Sequence, residues 1–119
     1  MPEHTTSEIV PHEQVLLIVV LPSRLDSAKA TALEDEVSRA VLDVARVPLV
    51  LDLFNVTFAP SVALGALVNV FKGMKLAGRR AFVINATQHI RGALSVTGLD
   101  ALIDVRYDLS EVLEACQAK

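Results

Sequence analysis

The chain has 119 residues, of which 52% are hydrophobic, 21% charged and 4% aromatic. Its length is that of one average domain, and its high apolar fraction excludes a disordered chain. Eleven basic and fourteen acidic residues give a net charge of −3, which argues against binding to nucleic acid through a basic face. A single cysteine, Cys116, excludes an intrachain disulfide framework and a cysteine-rich zinc site.

The N-terminal segment does not resemble a targeting signal. Residues 1–8 are polar and include Glu3 and Glu8, whereas a secretory signal begins with basic residues. The apolar run at 15–21 is only seven residues long before Pro22, and a membrane-spanning helix needs about 20. We therefore expect a cytoplasmic protein that does not insert into a membrane.

The first part of the chain has the pattern of a strand followed by a helix. The run at 15–21 is rich in β-branched residues, which is typical of a strand buried on both faces. Asp26 or Ser27 is suited to accept from the free N–H groups at the start of a helix. Apolar residues then recur at helical spacing as far as Val44. A weaker strand pattern lies earlier, at 7–10.

A second strand and helix follow in the middle of the chain. The run at 49–54 predicts another buried strand, and after a loop the next helix begins at Pro60 and Ser61. Proline suits this place because its missing N–H group would have no partner there. Gly78 suits the left-handed residue that ends a helix. The core stripe of this helix is predicted to be Leu64, Leu67, Val68 and Phe71.

The last part of the chain repeats the alternation. It predicts a strand at 81–84, a short helix at 87–96, a strand at 102–105 and a final helix at 109–117. Strands that alternate with helices through short loops indicate an α/β fold with right-handed crossovers. The expected architecture is a single domain with a largely parallel sheet of four to five strands and about four helices.

No pattern of catalytic or metal-binding residues stands out. The histidines, His4, His12 and His89, have no cysteine, histidine or aspartate at the spacing of metal ligands. The sequence contains neither a glycine-rich dinucleotide motif nor a Walker lysine motif. We therefore expect no enzyme activity, no metal and no cofactor.

Ser61 has two interpretations. Its hydroxyl could cap the helix that begins there, which is a common role of serine at this place. Alternatively, Ser61 is a phosphorylation site, because a phosphate would face free N–H groups and the positive end of the helix dipole. Such a phosphate would change a partner-binding surface without unfolding the helix.

The outer face of the same helix is unusually apolar. An exposed face is normally charged, so these small and apolar residues indicate either burial by neighbouring helices or a docking surface. Val62, Ala66 and Val70 are spaced by four and are predicted to share this face. The other members of the face are Asn69 and Gly73.

Four short segments resemble the motifs of one known family. Ser-Arg-Leu-Asp at 23–26 is similar to Gly-x-Leu-Asp, and the segment 51–58 is similar to Asp-Leu-Ser-x-Val-x-Phe. Pro-Ser-Val-Ala-Leu-Gly at 60–65 falls on Asp-Ser-Ser-Gly-Leu-Gly, and Thr-Gly-Leu occurs at 97–99. Together, over about residues 8–115, they resemble the STAS domain in its stand-alone bacterial form, the anti-sigma factor antagonists.

The resemblance implies a regulatory function. In that family a partner serine kinase of the histidine-kinase-like ATPase type, which is also the anti-sigma factor, phosphorylates the first serine of Asp-Ser-Ser-Gly. By position Ser61 is the phosphoacceptor, and Asp26 is an acidic residue of the same surface. The chain departs from the family pattern at Pro60, Val62 and Ala63, which replace the acidic residue, the second serine and the glycine.

The helix face and the resemblance together predict a partner surface that comprises Asp26, Pro60, Ser61, Val62, Ala66 and Val70. A phosphatase and a second copy of the chain are further candidate partners. Two other functions remain open. One is a partner-binding subunit that is not phosphorylated, such as the STAS component of a lipid-transport ATPase complex. The other is a sensor of a small ligand, because α/β sheets place ligands at the carboxyl ends of their strands.

Overall fold

A computed structural model describes residues 6–43 and 47–117. These residues form five strands, four α-helices and one 3-10 turn at Leu99–Ala101. The strands are β1 (Ser7–Val10), β2 (Leu16–Val20), β3 (Leu49–Asp52), β4 (Ala81–Ile84) and β5 (Asp104–Val105). The helices are α1 (Ser27–Leu42), α2 (Ser61–Leu76), α3 (Gln88–Val96) and α4 (Leu109–Gln117).

The five strands form one sheet in the order β1-β2-β3-β4-β5. β1 is antiparallel to β2, and every other neighbouring pair is parallel. In the parallel part Ile18 is opposite Leu51, which is opposite Val83. The α/β architecture predicted from the alternation of patterns is confirmed, including the weak strand at 7–10.

The sheet has a core cluster on each face. Alternate residues of a strand point to opposite sides, so one strand contributes to both clusters. Leu49 and Leu51 of β3 belong to the larger core cluster, which contains the buried residues of α1, α2 and α3. Val50 of β3 belongs to a smaller cluster with Phe82 of β4 and Val112 of α4. This double burial explains why β3 and β4 are continuous apolar runs in the sequence.

Two predicted strands, at 49–54 and 102–105, extend further than the strands of the structure. β3 ends at Asp52 because the Asp52 carboxylate accepts from the Phe54 N–H at 2.9 Å and turns the chain. Leu102 and Ile103 are not in a strand, since both of their N–H groups donate to the Leu99 carbonyl at 2.9 Å. The last predicted position of the first helix, Val44, lies outside the described residues.

Candidate functional site

Two loops at the carboxyl edge of the sheet are joined to each other. One connects β2 to α1 and the other connects β3 to α2. The Leu25 N–H donates to the Phe58 carbonyl at 2.9 Å, and the Thr57 N–H donates to the Ser23 carbonyl at 2.8 Å. The Arg24 guanidinium lies 4.5 Å from the centre of the Phe58 ring, within range of a cation–π contact. These contacts fix the segment that leads into α2.

Asp26 is the N-cap of α1. Its Oδ1 atom accepts from the Lys29 N–H at 2.9 Å, which satisfies one of the free donors at the helix start. The side chain is exposed, and its Oδ2 atom makes no hydrogen bond with any described residue. The capping role predicted from the sequence is therefore confirmed, and the carboxylate also faces solvent.

Replacing Asp26 by alanine is expected to lower the free energy of unfolding by about 1 kcal/mol, because the cap is lost. Asp26→Asn is the matched control, since asparagine caps equally well but carries no charge. If the charge contacts a partner, Asp26→Asn weakens partner binding without changing the stability. Thermal unfolding and a binding titration on both variants separate the two roles. Unchanged binding in Asp26→Asn contradicts a contact by the charge.

Ser61 is the first residue of α2, and Pro60 is its N-cap. The Pro60 carbonyl accepts from Ala63 N–H at 2.9 Å and Leu64 N–H at 3.1 Å, and no side chain caps the helix. The interpretation of Ser61 as a capping hydroxyl is therefore wrong, because proline occupies the capping position. The Ser61 hydroxyl is exposed and makes no hydrogen bond with any described residue.

Three apolar residues close to Ser61 in the chain are exposed. Phe54 is 72% exposed, Phe58 38% and Val62 52%. We call these three residues the apolar loop surface. The chain has four phenylalanines, and the two outside this surface are buried. The sequence analysis did not select Phe54 or Phe58 as site residues, although both lie in a loop between a strand and a helix.

The face of α2 that was predicted to be exposed is only partly so. Val62 is exposed and Ala66 is half-buried against the core, but Val70 is only 9% exposed and belongs to the core. The placement of Val70 on the outer surface is therefore wrong. Each helical residue turns by about 100°, so positions eight apart are offset by about 80° around the axis. Because of this offset, Val62 is exposed to solvent whereas Val70, eight residues later, points into the core.

A groove of about 560 Å³ separates the start of α2 from α3. Pro60, Ser61 and Leu64 line one side, and His89 is among the α3 residues that line the other. Ser61 therefore lies at the meeting point of the groove and the apolar loop surface. Asp26 lies at the same edge of the sheet, because α1 follows β2 as α2 follows β3.

A sequence model of the STAS domain matches residues 7–112. The chain belongs to the STAS domain family. The match contains all five strands and α1, α2 and α3, and therefore both joined loops and the groove. Ser61 and Asp26 thus lie inside the STAS domain.

Solved STAS structures share this fold. An anti-sigma factor antagonist from Mycobacterium paratuberculosis is 27% identical, with a TM-score of 0.79 over 95% of this chain and 94% of that one. A STAS anti-sigma-factor antagonist domain protein from Planctomyces limnophilus is 21% identical, with a TM-score of 0.76 over 92% and 95%. The Bacillus cell fate determinant SpoIIAA in its phosphorylated form is 14% identical, with a TM-score of 0.67 over 93% and 99%.

The described residues offer neither a metal-binding cluster nor a membrane-crossing helix. Residues 6–43 and 47–117 contain no group of three histidine, cysteine, aspartate or glutamate side chains placed to hold a metal ion. None of the helices in these two ranges combines the length and the apolar character needed to cross a membrane.

Proposed function

We propose that this STAS protein acts in the cytoplasm as a regulator of the anti-sigma factor antagonist type, and that phosphorylation of Ser61 switches its binding to a partner. The partner is a serine kinase of the histidine-kinase-like ATPase type that is also the anti-sigma factor. One observation carries the proposal: the Ser61 hydroxyl is exposed, unbonded to any described residue and adjacent in the chain to the apolar loop surface. A kinase can reach such a hydroxyl without unfolding α2.

The apolar loop surface supports a protein partner. Phe54 and Val62 are more than half exposed and lie within eight residues of each other on either side of the loop that leads into α2, so both can contact one partner. The bonds between the two loops hold this surface in place before binding, which lowers the entropy lost on association. The 27% identity with an anti-sigma factor antagonist supports a partner of the anti-sigma factor class.

The position of Ser61 supports a reversible switch. The N–H groups of Ser61 and Val62 donate to no described residue, so a phosphate at Ser61 would find free donors and the positive end of the α2 dipole. The phosphorylated chain would therefore keep its fold. The group adds a charge of about −2 beside the exposed apolar side chain of Val62. A phosphatase would restore the binding form, and the phosphorylated form of SpoIIAA supports this kind of cycle.

The test is phosphoryl transfer in a defined mixture. The chain is used to isolate its kinase from the native organism, and the purified pair is incubated with ATP. Mass spectrometry is expected to show one added phosphate, which is lost in Ser61→Ala. Ser95→Ala, which removes an exposed hydroxyl of α3, is the control and is expected to be phosphorylated normally.

Two results would contradict the proposal. One is phosphate confined to another hydroxyl, such as that of Thr57, which already donates to the Ser23 carbonyl at 3.1 Å. The other is a stable complex with a partner that transfers no phosphate. That second result favours the alternative of a partner-binding subunit that is not phosphorylated.

A further inference from the structure

We propose that His89, on the α3 side of the groove, pairs with the phosphoryl group on Ser61 and positions it in the groove. The inference rests on the proposed function, because it assigns a second residue to the same switch. His89 is not a catalytic residue in this proposal. Its imidazole is a hydrogen-bonding group that holds the phosphate after transfer.

The topology brings the two residues together. β3 and β4 are parallel neighbours, and α2 and α3 leave them at the same edge of the sheet. The first turns of both helices therefore begin side by side. Ser61 is the first residue of α2 and His89 the second residue of α3, and both line the groove of about 560 Å³.

The backbone around His89 is held firmly. The Thr87 hydroxyl oxygen caps α3 by accepting from the Ile90 N–H at 3.2 Å, and Ile90 and Leu94 are fully buried in the core. The His89 side chain is exposed on the groove side, and its ring makes no hydrogen bond with any described residue. The imidazole is thus free to bind a group placed in the groove.

The groove suits an anion. The N–H groups of Ser61 and Val62 in α2, and those of Gln88 and His89 in α3, donate to no described residue. The positive ends of two helix dipoles therefore meet at this place. His89 is the only ionisable side chain among the residues that line the groove, and no carboxylate lines it.

The other charged groups nearby are used elsewhere. Arg91 of α3 stacks on the Tyr107 ring at 4.4 Å. Asp26 caps α1, and the Asp52 carboxylate holds the Phe54 N–H. Lys72 and Lys75 lie in the last turns of α2, three or more turns from Ser61. The Arg24 guanidinium lies 4.5 Å from the centre of the Phe58 ring. None of these groups lines the groove, whereas His89 does.

The test measures the ionisation of the phosphate itself. Phosphoserine is incorporated at position 61 during translation, so that no kinase is needed, and the second pKa of the phosphate is measured by phosphorus NMR. A hydrogen bond to the dianion favours that form, so this pKa is expected to be higher in His89→Ala than in the parent by about 0.5 unit or more. His89→Arg is expected to restore the low value, because the guanidinium also donates hydrogen bonds to a phosphate.

His12→Ala is the matched control. His12 lies in the turn between β1 and β2, where its Nδ1 atom accepts from the Gln14 N–H at 3.0 Å. Its removal is expected to leave the phosphate pKa unchanged. Identical titrations of the parent and His89→Ala would overturn the inference. A kinase that ignores Ser61 would overturn the proposed function but would leave this result unaffected.

Discussion

Replacing Leu67 by alanine is expected to lower the free energy of unfolding by about 2–5 kcal/mol. Leu67 is 1% exposed in the middle of α2 and belongs to the large core cluster under α1 and α3. Leucine and alanine are both good helix formers, so the loss comes from the cavity and not from the helix. A domain has only about 5–15 kcal/mol of stability, so the change is severe. Urea unfolding measures it.

The matched variant is Phe54→Ala, in the apolar loop surface. Phe54 is 72% exposed, so its removal is expected to change the free energy of unfolding by less than about 0.5 kcal/mol. The same variant is expected to weaken partner binding at least tenfold, as removal of an aromatic residue at the centre of an interface does. A Phe54→Ala chain that is destabilised as much as Leu67→Ala would show that Phe54 supports the fold and is not a docking residue.

Much of the fold could be predicted because the central strands β3 and β4 are buried on both faces and β2 is covered on one face and half-buried on the other. The apolar runs of β2, β3 and β4 are continuous in the sequence. Proline residues or polar loops separate them from helices whose apolar residues recur at helical spacing. The end of β3 could not be placed, since it depends on whether the Asp52 carboxylate accepts from Phe54. The predicted length of β5 was too great, because the N–H groups of Leu102 and Ile103 donate to the Leu99 carbonyl of the 3-10 turn.

The site was predicted less completely. Ser61 and Asp26 could be selected from motifs, and capping by Asp26 followed from its residue type. Val70 was assigned to the wrong face because residues four apart are offset by only about 40° around the helix, whereas residues eight apart are offset by about 80°. The exposure of Phe54 and Phe58 depends on contacts between two loops that are distant in sequence. The groove beside His89 depends on where the fold places α3 relative to the start of α2.

Phosphorylation of Ser61 is expected to weaken partner binding at least tenfold. The phosphate carries a charge of about −2, and burying it against the apolar loop surface would require removal of its water without a fully compensating partner. Unphosphorylated Ser61 has only a small neutral hydroxyl, which an interface accommodates easily. The fold is expected to be unchanged, because the added charge lies at the positive end of α2.

The most direct measurement is the dissociation constant of the isolated kinase for the chain with serine and with phosphoserine at position 61. Calorimetry at one salt concentration gives the dissociation constants of the serine form, the phosphoserine form and the Ser61→Ala variant, which is the reference. We expect Ser61→Ala to bind like the unmodified chain and the phosphoserine form to bind at least tenfold more weakly. Equal affinities of the serine and phosphoserine forms would contradict the claim that Ser61 is the switch.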